Sequence, residues 1–223
     1  MMHEPQPGTV GRPMILRFES FAIDAELVVP PRPFGTVLFA HGTGSTHRSA
    51  RSRYVAERLR ERAGVATLGL DLVSPAEAEA DRLSYRLEFD IQILAQRLVA
   101  ATDWVAGDDR LGQLPIGYFG ATTGAAAALL AATARPQVRA VISGDGRPDL
   151  AGEALEEVRV PTLFIVGDDD PAGLELNRSA RAHLRAKSEL RTVPGVSRPS
   201  DEDGAVFEAL AALTAQFFSR HLG

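Results

Sequence analysis

The chain has 223 residues, an apolar fraction of 45%, a charged fraction of 24% and a net charge of −5, which together predict one globular domain with a large core. The acidic balance, without a compensating basic stripe, gives no reason to expect a nucleic-acid partner. Because the sequence contains no cysteine, it excludes a disulfide, a thiolate metal ligand and a thiol nucleophile.

The first 13 residues are polar and contain proline and glycine, which predicts a flexible tail ahead of a single domain at 14–223. No apolar signal core is visible in them, and no run of the sequence reaches the length of a membrane span. We therefore expect a cytoplasmic protein without membrane contact. The oligomeric state stays open between a monomer and a homodimer.

Short apolar runs alternate with segments of helical period along the chain. This alternation predicts an α/β fold, in which a mostly parallel, doubly wound sheet of about seven or eight strands carries helices on both faces. Residues 72–88 lack a clear period and are expected to be irregular. Strands are predicted at 14–18, 22–30, 35–40, 65–70, 114–119, 138–143, 161–166 and 189–193. Helices are predicted at 53–62, 89–105, from 124 onward, at 174–186, and at 204–221 after a capping box at 200–203.

Residues 118–127 (YFGATTGAAA) have the layout of a nucleophile elbow, in which a buried strand enters a tight turn and then a helix. In the motif G-x-S-x-G, the central serine presents its hydroxyl at the top of the sheet. Gly120 and Gly124 stand where the neighbouring backbone comes too close for a Cβ atom. The central residue, however, is Thr122.

Further motifs accompany the elbow in a fixed order: His41-Gly42 after the third strand, an acidic turn at 168–170, and Pro194-Gly195 after the last strand. With these motifs the sequence resembles a small α/β-hydrolase of the dienelactone hydrolase type over residues 14–223, with a minimal cap domain or none. The resemblance implies hydrolysis of esters, lactones or thioesters by a nucleophile, an acid and a histidine in that chain order.

The resemblance places the nucleophile at Thr122, the acid at Asp170 and the histidine on or beside Arg198. Two of these three positions depart from the pattern. Arginine stays protonated and has no acceptor, so Arg198 cannot act as the base. Threonine needs an activating base, and a β-branched residue is strained at the centre of an elbow. Ordinary serine hydrolase activity is therefore disfavoured, since losing triad members costs on the order of a millionfold in rate.

Other side chains at the active edge offer partial substitutes for the missing base. His47 is the better histidine candidate, with a solvated residue at a helix start as the alternative. His41 is expected to hold its loop in shape rather than act chemically. Asp145, between two glycines at a strand end, is either a carboxylate of the site or a turn residue that accepts local N–H bonds. Ser197 is expected to be only a turn hydroxyl.

The rest of the site is expected to survive. Backbone N–H groups of Thr123 and of the loop through His41, Gly42 and Thr43 predict an oxyanion hole. Asp71 is placed in the surrounding pocket, and Arg198 is expected to pair with Asp170. The acidic run at 168–170 lacks a second ligand cluster, so neither a metal nor another cofactor is implied.

Three hypotheses follow. The first is a divergent enzyme that performs epimerisation, elimination or cyclisation on a carbonyl-containing small molecule or peptide, using the oxyanion hole and the carboxylates. The second is a non-catalytic pseudohydrolase that binds a ligand. The third is a weak ester or lactone hydrolase that uses Thr122.

Overall fold

The computed structural model describes residues 11–42, 45–84, 86–87, 89–197 and 204–223. Within these ranges an eight-stranded sheet is formed by β1 (Arg12–Arg17), β2 (Ala22–Val28), β3 (Thr36–His41), β4 (Ala66–Asp71), β5 (Ile116–Thr122), β6 (Val138–Gly146), β7 (Thr162–Gly167) and β8 (Ser188–Val193). The strand order is β1-β2-β4-β3-β5-β6-β7-β8. β2 is antiparallel to both of its neighbours, β1 and β4, whereas β3 to β8 run parallel to one another. This arrangement confirms the predicted fold class.

Helices cover both faces of the sheet: α1 (Ala50–Ala63), α2 (Pro75–Asp81), α3 (Ile91–Ala106), α4 (Gly124–Ala134), α5 (Pro171–His183) and α6 (Gly204–Leu222). One apolar core packs α3 and α4 against the sheet, and a second core packs α1 and α6 against the opposite face. The parallel strands β3 and β7 are buried along their whole length, which explains their continuous apolar runs. None of the helices in the described part of the chain is long and apolar enough to cross a bilayer.

The segment without a clear period contains the short helix α2, which the sequence did not predict. The Ser74 side chain accepts from the Glu77 backbone N–H while the Glu77 carboxylate accepts from the Ser74 backbone N–H, and Pro75 occupies the first helical position. Glu77 also binds the buried guanidinium of Arg97 through contacts of 2.6 and 3.0 Å. The caps and this ion pair stabilise a helix that has no apolar period of its own.

The chain after the elbow also differs from the prediction. β6 extends three residues beyond 143, to Gly146, so Asp145 belongs to the strand end rather than to a following turn. A 3₁₀ segment (Pro148–Glu157) that the periodicity did not predict connects β6 to β7. The extension brings the Asp145 carboxyl to the edge of the sheet where β5 ends. The predicted capping box at 200–203 lies outside the described residues.

Candidate functional site

The elbow forms at the junction of β5 and α4. A Cβ atom on Gly124 would lie 2.1 Å from the Ala40 carbonyl oxygen, and one on Gly120 would lie 2.4 Å from the Gly124 carbonyl oxygen, so both positions require glycine. Thr122 has a φ of 50°, which a β-branched residue rarely adopts. Its carbonyl oxygen accepts a 2.9 Å hydrogen bond from the Arg147 N–H. The structure therefore holds Thr122 in the strained conformation expected for the centre of an elbow.

The Thr122 hydroxyl lies beside a second hydroxyl that the sequence analysis missed. Oγ1 of Thr122 is 3.5 Å from Oγ of Ser45, and Ser45 Oγ is 3.2 Å from Nδ1 of His41. Burial lowers the pKa of His41 to about 4, although the nearby Asp71 carboxylate opposes this shift. The imidazole is therefore neutral at neutral pH. Its contact with Ser45 agrees with the expected loop-holding role of His41.

His47 is buried, so the alternative of a solvated helix-start residue was wrong. The backbone N–H of His47 and the hydroxyl of Thr46 each donate a 2.8 Å hydrogen bond to the Asp71 carboxylate. The His47 ring nitrogen Nδ1 also lies 3.0 Å from Asp71 Oδ1. Burial raises the pKa of Asp71, and the contacts with His47 and Thr46 outweigh it, leaving the pKa below its ordinary value. Both residues thus fix the loop before α1.

Asp145 has a φ of 52° and points its carboxyl into a network of three elements. Ser197 donates to Oδ1 at 2.7 Å, and the guanidinium of Arg51 lies 3.6 Å from Oδ2. Burial raises the pKa of Asp145; Ser197 and Arg51 oppose this shift, whereas the negative charge of Asp170 adds to it. Because burial dominates, the pKa of Asp145 stays above that of an ordinary aspartate.

Arg51, a second residue that the sequence analysis missed, approaches Asp145 from the first turn of α1. Besides its contact with Asp145, its Nη1 donates a 3.0 Å hydrogen bond to the Val196 carbonyl oxygen. It thus joins α1, the end of β6 and the turn after β8. The sequence offered only its position in the first turn of α1, two residues after the N-cap Ser49, and arginine is common throughout the sequence.

A pocket of about 210 Å³ opens at the carboxyl ends of the strands and brings together Thr122, Asp145 and Asp170. Oδ1 of Asp170 accepts from the Gly173 N–H at 3.0 Å and caps α5. The polar side chains lining the pocket are Thr122, Asp145, Arg147, Asp170, Asn177 and Ser197.

The two buried histidines do not line the Thr122 pocket. His41 and His47 instead line a separate cavity of about 180 Å³ beside α1. Asp71 lines neither cavity and holds the loop described above. Thr123 is buried directly after Thr122, and Gly42 packs against its side chain, so the backbone of the predicted oxyanion hole adjoins the elbow.

Two predicted site residues, Thr43 and Arg198, lie outside the described residues, and the expected pair between Arg198 and Asp170 stays a prediction. Within the described ranges, no group of three or more histidine, aspartate or glutamate side chains is arranged to hold a metal ion.

The comparisons with known proteins identify the family. The dienelactone hydrolase of Anabaena variabilis has a crystal structure that superimposes with a TM-score of 0.87 and 42% sequence identity, over 97% of this chain and 100% of that chain. The chain belongs to the dienelactone hydrolase family. No protein-family model matches the sequence. This member of the dienelactone hydrolase family has Thr122 at the centre of its elbow.

Three further proteins are similar to this chain, two in sequence and one in fold. Two Mycobacterium tuberculosis proteins, from strains CDC 1551 and H37Rv, are each named "Putative phosphoribosyl transferase" and are 48% identical over 201 residues, which is 90% of this chain. The chain spans only 44% of the length of each. Est1E from Butyrivibrio proteoclasticus shares the fold with a TM-score of 0.73 and 18% identity, over 93% of this chain and 98% of that chain.

Proposed function

We propose that this family member is an enzyme that moves a proton on a small carbonyl compound or peptide without forming an acyl-enzyme. Asp145 is the acid/base, and the product is an epimer, an elimination product or a ring. The observation that carries the proposal is the partly buried Asp145 carboxyl, which lines the Thr122 pocket and accepts a 2.7 Å hydrogen bond from Ser197. The reaction needs no cofactor. The protein acts in the cytoplasm as a monomer or homodimer.

The chemistry of Asp145 supports this role. A general base works best when its pKa is near the working pH, and burial moves the pKa of Asp145 in that direction. The Asp145 carboxylate takes a proton from the carbon next to the substrate carbonyl. The C–H electron pair forms a C=C bond, and the π pair of the carbonyl moves onto its oxygen. The N–H groups of Thr123 and of the Gly42 loop stabilise the resulting enolate. The same carboxyl returns the proton in an epimerisation and keeps it in an elimination, while a leaving group departs. In a cyclisation it also keeps the proton, and the enolate carbon attacks an electrophilic carbon of the same substrate and displaces the leaving group there.

Asp170 completes this arrangement. It stands at the position where the family resemblance places the triad acid, and it lines the pocket together with Asp145. Two carboxyls in one pocket repel each other when both are ionised, and Asp170 accordingly raises the pKa of Asp145.

Two alternatives each have an observation in their favour. Both carboxylate oxygens of Asp145 already contact protein groups, Ser197 and Arg51, which favours a non-catalytic binding protein with a structural Asp145. The chain of contacts from Thr122 through Ser45 to His41 favours a weak ester or lactone hydrolase. A histidine with a pKa of about 4 is a poor base, however, so we rank this hydrolase last.

Solvent-proton exchange tests the proposal. A panel of small lactones, α-hydroxy ketones and N-acetyl amino amides is incubated in deuterium oxide, and deuterium at the carbon next to the carbonyl is followed by mass spectrometry and NMR. We expect exchange with the parent, a loss of about 10²–10⁴-fold with Asp145→Asn, and little change with Asp168→Asn on the exposed turn after β7. Exchange that persists in Asp145→Asn contradicts the proposal. Saturable binding without exchange favours the binding protein.

A further inference from the structure

We infer that the Ser45 hydroxyl is a further catalytic group, which donates a hydrogen bond to the substrate carbonyl oxygen as the enolate forms. This role rests on the proposed function for its reaction, and it is tested below with readouts that need no proton transfer from carbon. The hydroxyl keeps its hydrogen throughout, because it stabilises the negative charge on the oxygen without protonating it.

The strand order places Ser45 and Asp145 on opposite sides of the elbow. β5, which ends at Thr122, lies between β3 and β6. The loop that carries Ser45 follows β3, whereas Asp145 lies at the end of β6. A substrate bound over Thr122 can therefore direct its carbonyl oxygen to the β3 side and the neighbouring carbon to Asp145.

The Ser45 hydroxyl has one close partner and two distant ones. Its Oγ lies 3.2 Å from Nδ1 of His41, and 3.5 Å from both the Gly42 carbonyl oxygen and Oγ1 of Thr122. Hydroxyl hydrogen bonds are usually about 2.7–2.8 Å long, so the two longer contacts are weak. Ser45 is half-buried, whereas His41 is buried. The fate of the Ser45 hydrogen therefore depends on the direction of the contact with His41.

The tautomer of His41 sets that direction. Burial lowers its pKa to about 4, so the imidazole is neutral and only one ring nitrogen carries a hydrogen. Nε2 is buried and has no hydrogen-bond partner among the described residues. Because a buried N–H without an acceptor is rare, we assign the hydrogen to Nδ1. His41 then donates to Ser45, and the Ser45 hydrogen is left with only the two 3.5 Å contacts.

The other donors of the predicted oxyanion hole lie beside Ser45. Gly42 packs against the Thr123 side chain, which brings the loop after β3 against the elbow. Thr123 is followed by α4, and the first turn of a helix has backbone N–H groups without intrahelical acceptors and favours negative charge. Ser45 adds an O–H group to these N–H groups. Accepting from His41 makes this hydroxyl a stronger donor, because hydrogen bonds in a chain polarise one another.

Nitrogen-15 NMR of the parent protein tests the assigned tautomer, since a ring nitrogen that carries a hydrogen differs in chemical shift from one that does not. We expect the hydrogen on Nδ1 of His41 at pH 7. Ser45→Ala should shift this nitrogen signal, whereas Ser219→Ala, at an exposed position of α6, should leave it unchanged. A hydrogen on Nε2 would overturn the role of Ser45, because Ser45 would then donate to His41.

Binding of 4-nitrophenol tests the donor itself, since the oxygen of its phenolate resembles that of an enolate. Absorbance titrations give the affinities of the phenol and of the phenolate. We expect Ser45→Ala, checked for intact thermal unfolding, to weaken binding of the phenolate about tenfold and of the phenol much less. Ser45→Thr should retain phenolate binding, and Ser219→Ala should match the parent. The role is overturned if Ser45→Ala binds the phenolate like the parent, or if the parent binds neither form.

Deuterium exchange then separates this role from the proposed function. Ser45→Ala is expected to lower kcat for exchange about 10²–10³-fold with little change in KM. An unchanged kcat would overturn the catalytic role of Ser45 and leave Asp145 as the base. Absence of exchange in the parent, together with weaker phenolate binding by Ser45→Ala, would contradict the proposed reaction but support Ser45 as a donor to an oxyanion.

Discussion

The Ser197 hydroxyl bridges two strand ends: it donates 2.7 Å to Oδ1 of Asp145 and accepts 3.2 Å from the Gly167 N–H. The bridge joins the turn after β8 to the carboxyl ends of β6 and β7. A hydrogen bond to a carboxylate stabilises its charged form, so Ser197 lowers the pKa of Asp145 while burial raises it. Ser197, which the sequence analysis treated as a turn hydroxyl, therefore influences the pH at which Asp145 ionises.

Opposite shifts in the pH profile are expected for two neighbours of Asp145. As a base, Asp145 acts as the carboxylate, so exchange activity falls as the pH drops through its pKa. Ser197→Ala removes a group that lowers this pKa and moves the acid limb to higher pH, whereas Asp170→Asn removes a group that raises it and moves the limb to lower pH. Rates of deuterium exchange against pH measure both limbs. Shifts in the same direction, or none, would show that Asp145 does not control the profile.

Replacement of Asp71 tests the loop before α1. The folded-state pKa of Asp71 is lowered, so its carboxylate stabilises the fold above the unfolded pKa of 3.8, and this contribution disappears as the pH falls through the folded pKa. We expect Asp71→Asn to lower the free energy of unfolding by about 1–3 kcal/mol at pH 7, with the difference shrinking in acid. Urea unfolding at several pH values measures it, with the exposed Asp168→Asn as control. A difference independent of pH would contradict the electrostatic origin.

The elbow glycines are expected to be intolerant of alanine. Gly124→Ala places a Cβ atom 2.1 Å from the Ala40 carbonyl oxygen, so the backbone must move. We expect a loss of about 1–3 kcal/mol or more in the free energy of unfolding, or an insoluble protein. Gly204→Ala, where a Cβ atom meets none of the described residues within 4 Å, is the matched control and should be nearly neutral. Equal effects of both changes in urea unfolding would argue against the close packing of the elbow.

His41 is expected to stay neutral through the physiological range. Burial lowers its pKa to about 4, so its imidazole signals in NMR should not move between pH 8 and about 5.5. The same histidine in urea-denatured protein should titrate near the ordinary value of 6.5. Titration of the folded His41 near pH 6.5 would contradict its burial and would revive the hydrolase alternative through Ser45.

Much of the fold could be predicted from the sequence because parallel strands buried on both faces leave continuous apolar runs, as in β3 and β7. The elbow could be predicted because its glycines are required by contacts within one short segment. α2 was missed because its stability comes from the caps at Ser74 and Glu77 and from a distant ion pair with Arg97, none of which has an apolar period.

The site was less predictable, since its key contacts join distant parts of the chain. Arg51 and Ser197 both contact Asp145, although they lie far apart in sequence. No local sequence pattern predicts such a contact. His47 was expected at the surface of a helix start, but the fold turns its side chain against Gly69 and Asp71. The strained backbone of Thr122 could be predicted, because it depends only on the local geometry of the elbow.

The most direct measurement of the central claim, proton transfer without an acyl-enzyme, is a time course with a short-chain nitrophenyl ester. It compares the parent with Thr122→Ser, Arg198→His and the double variant. The account predicts that the parent is inert and that turnover appears only in the double variant, in which a serine and a histidine occupy the positions that the family resemblance assigns to the nucleophile and the base. Turnover by the parent that Thr122→Ala abolishes would contradict the account and establish Thr122 as a working nucleophile.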